Sequence, residues 1–224
     1  NVIRSRNVSF LPTEIIFDHF AAVLTPGHIV PLRAGMINSL IISTLTATVC
    51  VLIALPAAYA LARMNVPKSR WILGALVSVY FLPTTLFLIP IFIAFVSWGI
   101  DDTFPSLLLP YVGFILPFVI WILKTFIDRL PVEIEEAARI DGCSYLQLIT
   151  KIIVPLLRPG ILAGFIFAFI LSWIEFLTPL VFTNTLKITT VALGLFRSTM
   201  DIQIGQQAAA AVLTLLPVAL LMLV

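Results

Sequence analysis

The amino-acid sequence predicts an all-α integral membrane protein, built as a polytopic bundle of helices. Of its 224 residues, 61% are hydrophobic and only 11% are charged, whereas ordinary soluble domains carry roughly 25% charged residues. The mean hydropathy is +1.14. Five apolar stretches each approach or exceed the roughly 20 residues that a bilayer-spanning helix needs. These predicted spans are residues 36–62, 71–98, 105–127, 161–182 and 206–224.

The connections between the spans differ in charge, which predicts the orientation of the chain. The second connection carries only Asp101 and Asp102, whereas the first and third are rich in basic residues. Those basic residues are Arg63, Lys68, Arg70, Lys124, Arg129, Arg139, Lys151 and Arg158. Basic residues concentrate on the cytoplasmic side of membrane proteins. The long loop at residues 128–160 is therefore predicted to be cytoplasmic, and residues 1–35 are predicted to be external.

The external segment contains a weakly amphipathic run at residues 14–24, which predicts one surface helix, and a Thr-Pro-Gly turn at residues 25–27. Asn38 stands near the start of the next predicted helix. We expect it to cap that helix, and lining a polar pathway is the alternative. Tyr59, close to the cytoplasmic end of the same span, is expected to be an aromatic-belt residue at the membrane interface.

The loop at residues 128–160 begins with the chemistry of a helix start. Pro131 suits a first helical turn, and Glu133, Glu135 and Glu136 follow where the helix dipole favours negative charge. Gly142 stands where a left-handed residue is needed to end that helix. The sequence therefore predicts a short helix between Pro131 and Gly142.

A second helix is predicted directly after Gly142. Ser144 and Gln147 have the spacing of a capping box, which marks a helix start. That helix is expected to run to Ile153 and to be broken by Pro155. The loop is thus two short helices joined at a glycine corner, a shape that another protein could grip; an ordinary solvated loop is the alternative.

The same loop resembles a known signature. Glu136, Ala137, Ala138, Gly142, Ile152 and Pro155 match the E-A-A-x3-G-x9-I-x-L-P pattern, the EAA motif, with Val154 replacing the usual Leu. This motif is typical of the membrane subunits of binding-protein-dependent ABC importers. The resemblance implies a coupling helix that docks in a cleft of a cytoplasmic ATPase. The coupling residues that it implies are Glu136, Ala137, Ala138, Asp141, Gly142, Ile152 and Pro155.

Two further runs resemble the carbohydrate branch of this family: residues 57–63 (AAYALAR) and residues 172–176 (SWIEF). The second is similar to the Ser-Trp-Asn-Glu-Phe segment of the maltose-type second permease subunit, with Ile174 replacing Asn. Glu175 is the only acid inside a predicted span, and such acids normally face protein or water. Trp173, Glu175 and Phe176 are therefore pathway candidates. The alternatives are ordinary packing for the aromatic residues, and for Glu175 a buried hydrogen bond or a contact with a partner permease.

The resemblance also implies an assembly. Residues 36–224 are expected to form a permease domain of the type I ABC importer kind. The family usually has six helices, so we expect a first helix before Asn1 and a short cytoplasmic tail after Val224. The implied partners are two ABC ATPase subunits, a related second permease, an external solute-binding protein and the inner membrane of a prokaryote. No cofactor is expected on this chain, because ATP and Mg would bind to the ATPase.

The sequence also argues against catalysis by this chain. It contains no Gly-x4-Gly-Lys-Ser/Thr phosphate-binding run, and none of its lysines follows a glycine. No Ser/His/Asp, Cys/His or paired-carboxylate arrangement indicates an enzyme. The net charge of +2 gives no reason to expect nucleic-acid binding. Two alternatives stay open: an importer of a peptide, polyamine, amino acid or phosphate ester, and a non-transport membrane scaffold.

Overall fold

The computed structural model describes residues 17–25, 30–198 and 204–223, and every regular element in those ranges is helical. One segment, Leu148–Ile153, is π-helical. The helices are α1 (Asp18–Leu24), α2 (Leu32–Arg63), α3 (Ser69–Tyr80), α4 (Thr85–Trp98), α5 (Phe104–Asp128), α6 (Val132–Ile140), α7 (Tyr145–Gln147), α8 (Val154–Leu156), α9 (Arg158–Ile174), α10 (Leu177–Phe182), α11 (Thr189–Ser198) and α12 (Ile204–Met222).

Within the described residues, three helices are long and apolar enough to cross a membrane: α2, α5 and α12. They correspond to the first, third and fifth predicted spans. Two further helix pairs are apolar enough to span together but are sharply bent where they meet. The described part of the chain thus has up to five spans if each bent pair counts as one.

The second predicted span, residues 71–98, is not one continuous helix. It consists of α3 and α4, which are bent by 86° at a short break that contains Pro83. Proline has no N–H to donate and disfavours helical geometry at the preceding residue, Leu82. Pro90, by contrast, lies inside α4, as Pro110 and Pro117 lie inside α5.

The fourth predicted span, residues 161–182, is also interrupted. Helix α9 ends at Ile174, and Glu175 has an extended backbone with ψ 134°. The shorter α10 follows. At its other end α9 is bent by 75° from the preceding helical run Tyr145–Leu156.

The described residues fall into two compact units, the first comprising those up to Ile41 and from Thr183 onward. In this unit α1 packs on α12, and a small apolar core forms. The core residues are Val23, Val30, Leu32, Ala192, Phe196 and Ala210. The structure confirms the predicted surface helix over Asp18–Leu24; residues 14–16 and 26–27 of the predicted helix and turn lie outside the described residues.

Asn38 does not cap a helix, because α2 begins at Leu32, six residues earlier. Its amide instead donates to the carbonyl of Lys187 over 2.8 Å. Next to it, the Ser39 hydroxyl accepts from the N–H of Thr189 at 3.0 Å, the first residue of α11. Between the fourth and fifth predicted spans the chain thus forms the ten-residue helix α11, and α2 binds the first N–H of that helix.

The second unit runs from Ile42 to Phe182 and has α5 at its centre. Helix α5 packs against α3 and α9, and α10 packs against α4 and α5. The approach of α9 to α5 is close. A Cβ added at Gly160 would lie 2.7 Å from Cγ of Phe126, and one at Gly164 would lie 3.2 Å from the Val119 side chain. Small residues allow such contacts between membrane helices.

Candidate functional site

The EAA loop begins with the helix that the sequence predicts. Pro131 precedes α6, which runs from Val132 to Ile140 with Glu133 and Glu135 in its first turn. After the helix, Gly142 has φ +80°. Its N–H donates to the carbonyl of Arg139 at 3.1 Å, and the N–H of Cys143 donates to that of Ala138 at 3.0 Å. These two bonds form a Schellman motif, so the predicted glycine corner is confirmed.

The predicted capping box after this corner is also present. Gln147 N–H donates to the Ser144 hydroxyl at 3.3 Å, and Ser144 N–H donates to the Gln147 side-chain oxygen at 2.9 Å. The predicted end of the second helix, however, is wrong. The helical path continues through the π-helical segment into α8 and ends at Leu156, because Val154, directly before Pro155, keeps helical backbone angles of φ −59° and ψ −46°.

The predicted coupling residues divide between an outer and an inner face of the loop. Glu136, Ala137, Asp141 and Gly142 are exposed. Ala138 is buried, and Ile152 and Pro155 are partly buried. The outer face is therefore the part that a partner can contact.

Two exposed apolar side chains that sequence reasoning did not single out extend the outer face. Ile140 is 86% exposed at the end of α6, and Leu146 is 71% exposed just beyond the glycine corner. The signal for Ile140 was available, because it lies three residues after Ala137 and hence on the same side of the helix.

The inner face of α6 is fixed by a buried carboxylate. Glu135 is 3% exposed. The Tyr59 hydroxyl donates to its Oε2 at 2.7 Å, and Arg63 Nε donates to its Oε1 at 2.6 Å. Tyr59 is itself only 2% exposed, so its predicted place in an interfacial aromatic belt is wrong.

Arg63 also binds the end of α5. Its Nη2 donates to the carbonyls of Ile127 at 2.9 Å and Leu130 at 2.7 Å. Sequence reasoning used Arg63 as a topology signal and as the last residue of the run at 57–63, and it used Glu135 as a helix-start acid. A sequence-level signal does exist: Glu135 and Ala138 are three residues apart and so share one helix face.

The second arm of the loop reaches the same place. The Tyr145 ring meets the Tyr59 ring edge-on, with centroids 5.7 Å apart and an interplanar angle of 75°. Its hydroxyl donates to Sδ of Met64 at 3.6 Å. Both helical arms of the EAA loop are thus attached to the end of α2.

A separate cavity of about 390 Å³ lies in the same unit, beside the two helix breaks. Its walls combine aromatic rings and aliphatic side chains with several hydroxyls and one carboxylate. The lining residues are Tyr80, Leu82, Pro83, Thr84, Tyr111, Phe114, Ile115, Leu171, Glu175 and Thr178.

Glu175 lies where α9 stops and α10 starts. Its carboxylate accepts from the N–H of Leu177 at 3.1 Å and from the N–H of Thr178 at 3.0 Å. The Tyr111 hydroxyl donates to the same carboxylate at 3.3 Å. Unbonded N–H groups at a helix start favour a negative group, so Glu175 stabilises the start of α10 as well as facing the cavity.

Of the three predicted pathway residues, only Glu175 lines this cavity. Trp173 is 4% exposed and stacks on Phe169, with centroids 5.7 Å apart and an interplanar angle of 11°. Phe176 is 38% exposed and lies outside the lining. The pathway role of these three residues stays a prediction.

Comparison with known proteins agrees with the motif. A family model described as a binding-protein-dependent transport system inner membrane component matches residues 51–224. The trehalose transport system permease protein SugB of Mycobacterium tuberculosis is 31% identical over 218 residues, which are 96% of this chain and 78% of SugB. The diacetylchitobiose uptake system permease protein DasC of Streptomyces coelicolor is 31% identical over 221 residues, 98% of this chain and 79% of DasC.

The fold is also known from a solved structure. A bacterial ABC transporter involved in the import of the acidic polysaccharide alginate contains a chain that matches with a TM-score of 0.74 at 20% identity. The match covers 98% of this chain and 81% of that chain, and it shows the shared fold. The family model and the relatives establish the family itself: this chain belongs to the inner membrane components of binding-protein-dependent transport systems.

Proposed function

We propose that this chain is the permease subunit of an ATP-driven importer whose cargo is a carbohydrate. The observation that carries the proposal is the cavity beside Glu175, which combines aromatic faces with hydroxyl groups and a carboxylate. A sugar ring has apolar C–H faces that pack on aromatic rings and hydroxyls that need hydrogen-bond partners. The relatives named for trehalose and diacetylchitobiose support the same class of cargo.

The size of the cavity suits one or two sugar rings better than a long polymer. Its volume of about 390 Å³ lies at the lower end of the roughly 300–1,000 Å³ of ligand pockets. Tyr80, Phe114 and Tyr111 supply ring surface, and the hydroxyls of Tyr111, Thr84 and Thr178 supply polar contacts. We infer that solute crosses the membrane past these groups.

The outer face of the EAA loop is the proposed docking surface for a cytoplasmic ATPase. Glu136, Ala137 and Gly142 are exposed there, and the apolar side chains of Ile140 and Leu146 can enter a cleft of the partner. In this assembly two ATPase subunits hydrolyse ATP with Mg, a second related permease completes the body, and an external binding protein delivers the solute. Residues 1–35 then lie outside the cell and the EAA loop inside.

Transport requires that the membrane-spanning helices of the complex adopt two alternative arrangements. Closure of the ATPase subunits on ATP displaces the EAA loop, and the helices that are attached to it switch between inward-facing and outward-facing arrangements. The energy for the switch is the difference in the affinity of ATP and of the loaded binding protein for the two states.

The test uses the purified complex in lipid vesicles. ATP hydrolysis is measured while the cognate binding protein is added with trehalose, diacetylchitobiose, a dipeptide or a polyamine, one at a time. We expect a sugar-loaded binding protein to stimulate hydrolysis. Stimulation by a peptide or polyamine alone would contradict the sugar cargo, and a complex without any ATPase would favour a scaffold.

A further inference from the structure

Arg63 is the last residue of α2, and its guanidinium connects three segments of the chain. It donates to Glu135 in α6 at 2.6 Å, to the carbonyl of Ile127 in the last turn of α5 at 2.9 Å, and to the carbonyl of Leu130 at 2.7 Å in the turn between α5 and α6. A planar guanidinium presents five N–H donors in a fixed fork, which an ammonium group does not. One side chain therefore sets the relative positions of three helix ends.

The connection is enclosed on its inner side. The side chains of Arg63 and Glu135 are only 12% and 3% exposed. The second carboxylate oxygen of Glu135 accepts from Tyr59, which belongs to the same helix as Arg63. Tyr59 and Arg63 lie one turn apart on α2 and bind the two oxygens of Glu135, so they restrict the rotation of α6 relative to α2.

The opposite side of α6 is left for a partner. Glu136, Ala137 and Ile140 are exposed, whereas Glu135 and Ala138 are buried against the rest of the unit. A force applied to the exposed face must pass through the buried face to reach the spanning helices.

We infer that Arg63, Glu135 and Tyr59 are positioning residues that make α6 move as one body with the ends of α2 and α5. This inference rests on the proposed function, since it assumes that an ATPase displaces the loop. The expected consequence is that ATP binding changes the place of α6 relative to the membrane but not its distance from the end of α2. Without the contact, α6 would follow the ATPase alone.

The test measures that distance in the whole complex. Spin labels are placed at Asn65, which is exposed just after α2, and at Glu133, which is exposed at the start of α6; Cys50 and Cys143 are first replaced by alanine. Pulsed EPR then gives the label separation without nucleotide and after incubation with ATP and vanadate, which traps ADP and vanadate in the ATPase. In the labelled protein that keeps Arg63, we expect the separation to differ by less than about 1 Å between the two states. In the labelled Arg63→Met variant, we expect it to change by more than about 2 Å.

The controls separate folding from transmission. Lys124→Met removes a cation from the same end of α5, where Lys124 forms an exposed pair with Asp128, and should leave the separation constant. The triple variant Tyr59→Phe/Arg63→Met/Glu135→Met removes the buried charges together, so it should assemble while still showing the nucleotide-dependent change. The inference would be overturned if the label separation stayed constant in this variant, or if it changed with nucleotide in the protein that keeps all three residues. Loss of the ATPase from every sample would instead count against the proposed function.

Discussion

Nε of Arg63 lies 2.6 Å from Oε1 of Glu135, and this pair joins the end of a spanning helix to the buried face of the EAA loop. The two residues are 72 positions apart in the chain. The exposed half of α6 carries Glu136 and Ala137 of the EAA motif, whereas its buried half carries Ala138 and Glu135, the acid that precedes the motif. Glu135 therefore attaches α6 to α2, and its neighbour Glu136 lies on the exposed face that we propose as the docking surface.

Removing one partner of this pair should destabilise the protein. Glu135→Leu leaves the Arg63 cation without its carboxylate in a largely buried place, and breaking a buried pair in this way costs about 3–5 kcal/mol. We expect a clear fall in the midpoint of thermal unfolding of the protein in detergent. Lys124→Met breaks an exposed pair, for which about 0–1 kcal/mol is expected. Equal falls in the midpoint of the two variants would show that the buried pair contributes no more to stability than the exposed pair.

Gly142→Asp should uncouple ATP hydrolysis from uptake while leaving the subunit in the membrane. Gly142 has φ +80°, and a left-handed backbone costs an ordinary residue roughly 1–2 kcal/mol. A Cβ there would meet no atom within 4 Å, so the strain lies in the backbone and not in packing. Strain of about 1.4 kcal/mol makes the native corner geometry about tenfold less favoured relative to a relaxed one. We expect solute uptake per ATP hydrolysed to fall with it.

Gly99 offers a matched control for this change. It also has a positive φ, +68°, and open space around its Cβ position, but it ends α4 and not the first arm of the EAA loop. Gly99→Asp should therefore carry similar strain without uncoupling. Gly142→Asn, which tolerates the left-handed region better, should retain most of the coupling. Uncoupling by both aspartate variants alike would refute a specific role for the corner.

Gly160→Ala should loosen the contact of α9 with α5. Its Cβ would lie 2.9 Å from Cβ of Phe126, which the backbone holds in place, and 2.7 Å from Cγ, which moves only if the ring changes its rotamer. Overpacking of this kind costs roughly 1–3 kcal/mol. Gly113→Ala, on α5 with nothing within 4 Å, should instead stabilise the protein by about 0.4–1 kcal/mol. Thermal unfolding in detergent checks that the midpoint falls in Gly160→Ala and rises in Gly113→Ala.

The parts of the EAA loop that sequence reasoning described well are those fixed by neighbouring residues. The glycine corner at Gly142 and the capping box of Ser144 and Gln147 depend on hydrogen bonds between residues at most five positions apart. Such bonds can be inferred from residue types and spacing alone. The attachment of Tyr59 to Glu135 spans 76 positions, and nothing in the local pattern of either residue indicates it.

The sequence alone also does not indicate which prolines break a helix. Pro83 lies at a break with an 86° bend, whereas Pro110 and Pro117 lie inside a continuous α5. The residue type is the same, so the difference arises from what surrounds each proline. Neighbouring helices can satisfy the carbonyls that a proline leaves unbonded, and a sequence does not say which neighbours are near.

Glu175 and Tyr111 both line the cavity and are joined by a hydrogen bond. From its sequence position, Glu175→Gln should alter transport more than folding. The structure adds a stabilising role, because the carboxylate accepts from two N–H groups at the start of α10. Glu175 Oε1 alone lies within hydrogen-bond distance of both N–H groups, so a glutamine can keep these bonds but loses the negative charge that a helix start favours. We therefore expect Glu175→Gln to lower uptake, and to lower the thermal midpoint through a loss of up to about 2 kcal/mol, the contribution of a charge at a partly buried helix end.

Tyr111→Phe separates the two roles. It removes the hydroxyl that donates to Glu175 and leaves both N–H bonds of α10 in place, so stability should fall by only about 1 kcal/mol. If solute passes through the cavity, sugar uptake by this variant should fall while the thermal midpoint hardly moves. Ser97→Ala removes an exposed hydroxyl elsewhere, on α4, and should change neither quantity. Normal uptake by Tyr111→Phe, together with a parallel loss of uptake and stability in Glu175→Gln, would mean that Glu175 only supports the helix break and that the solute takes another path.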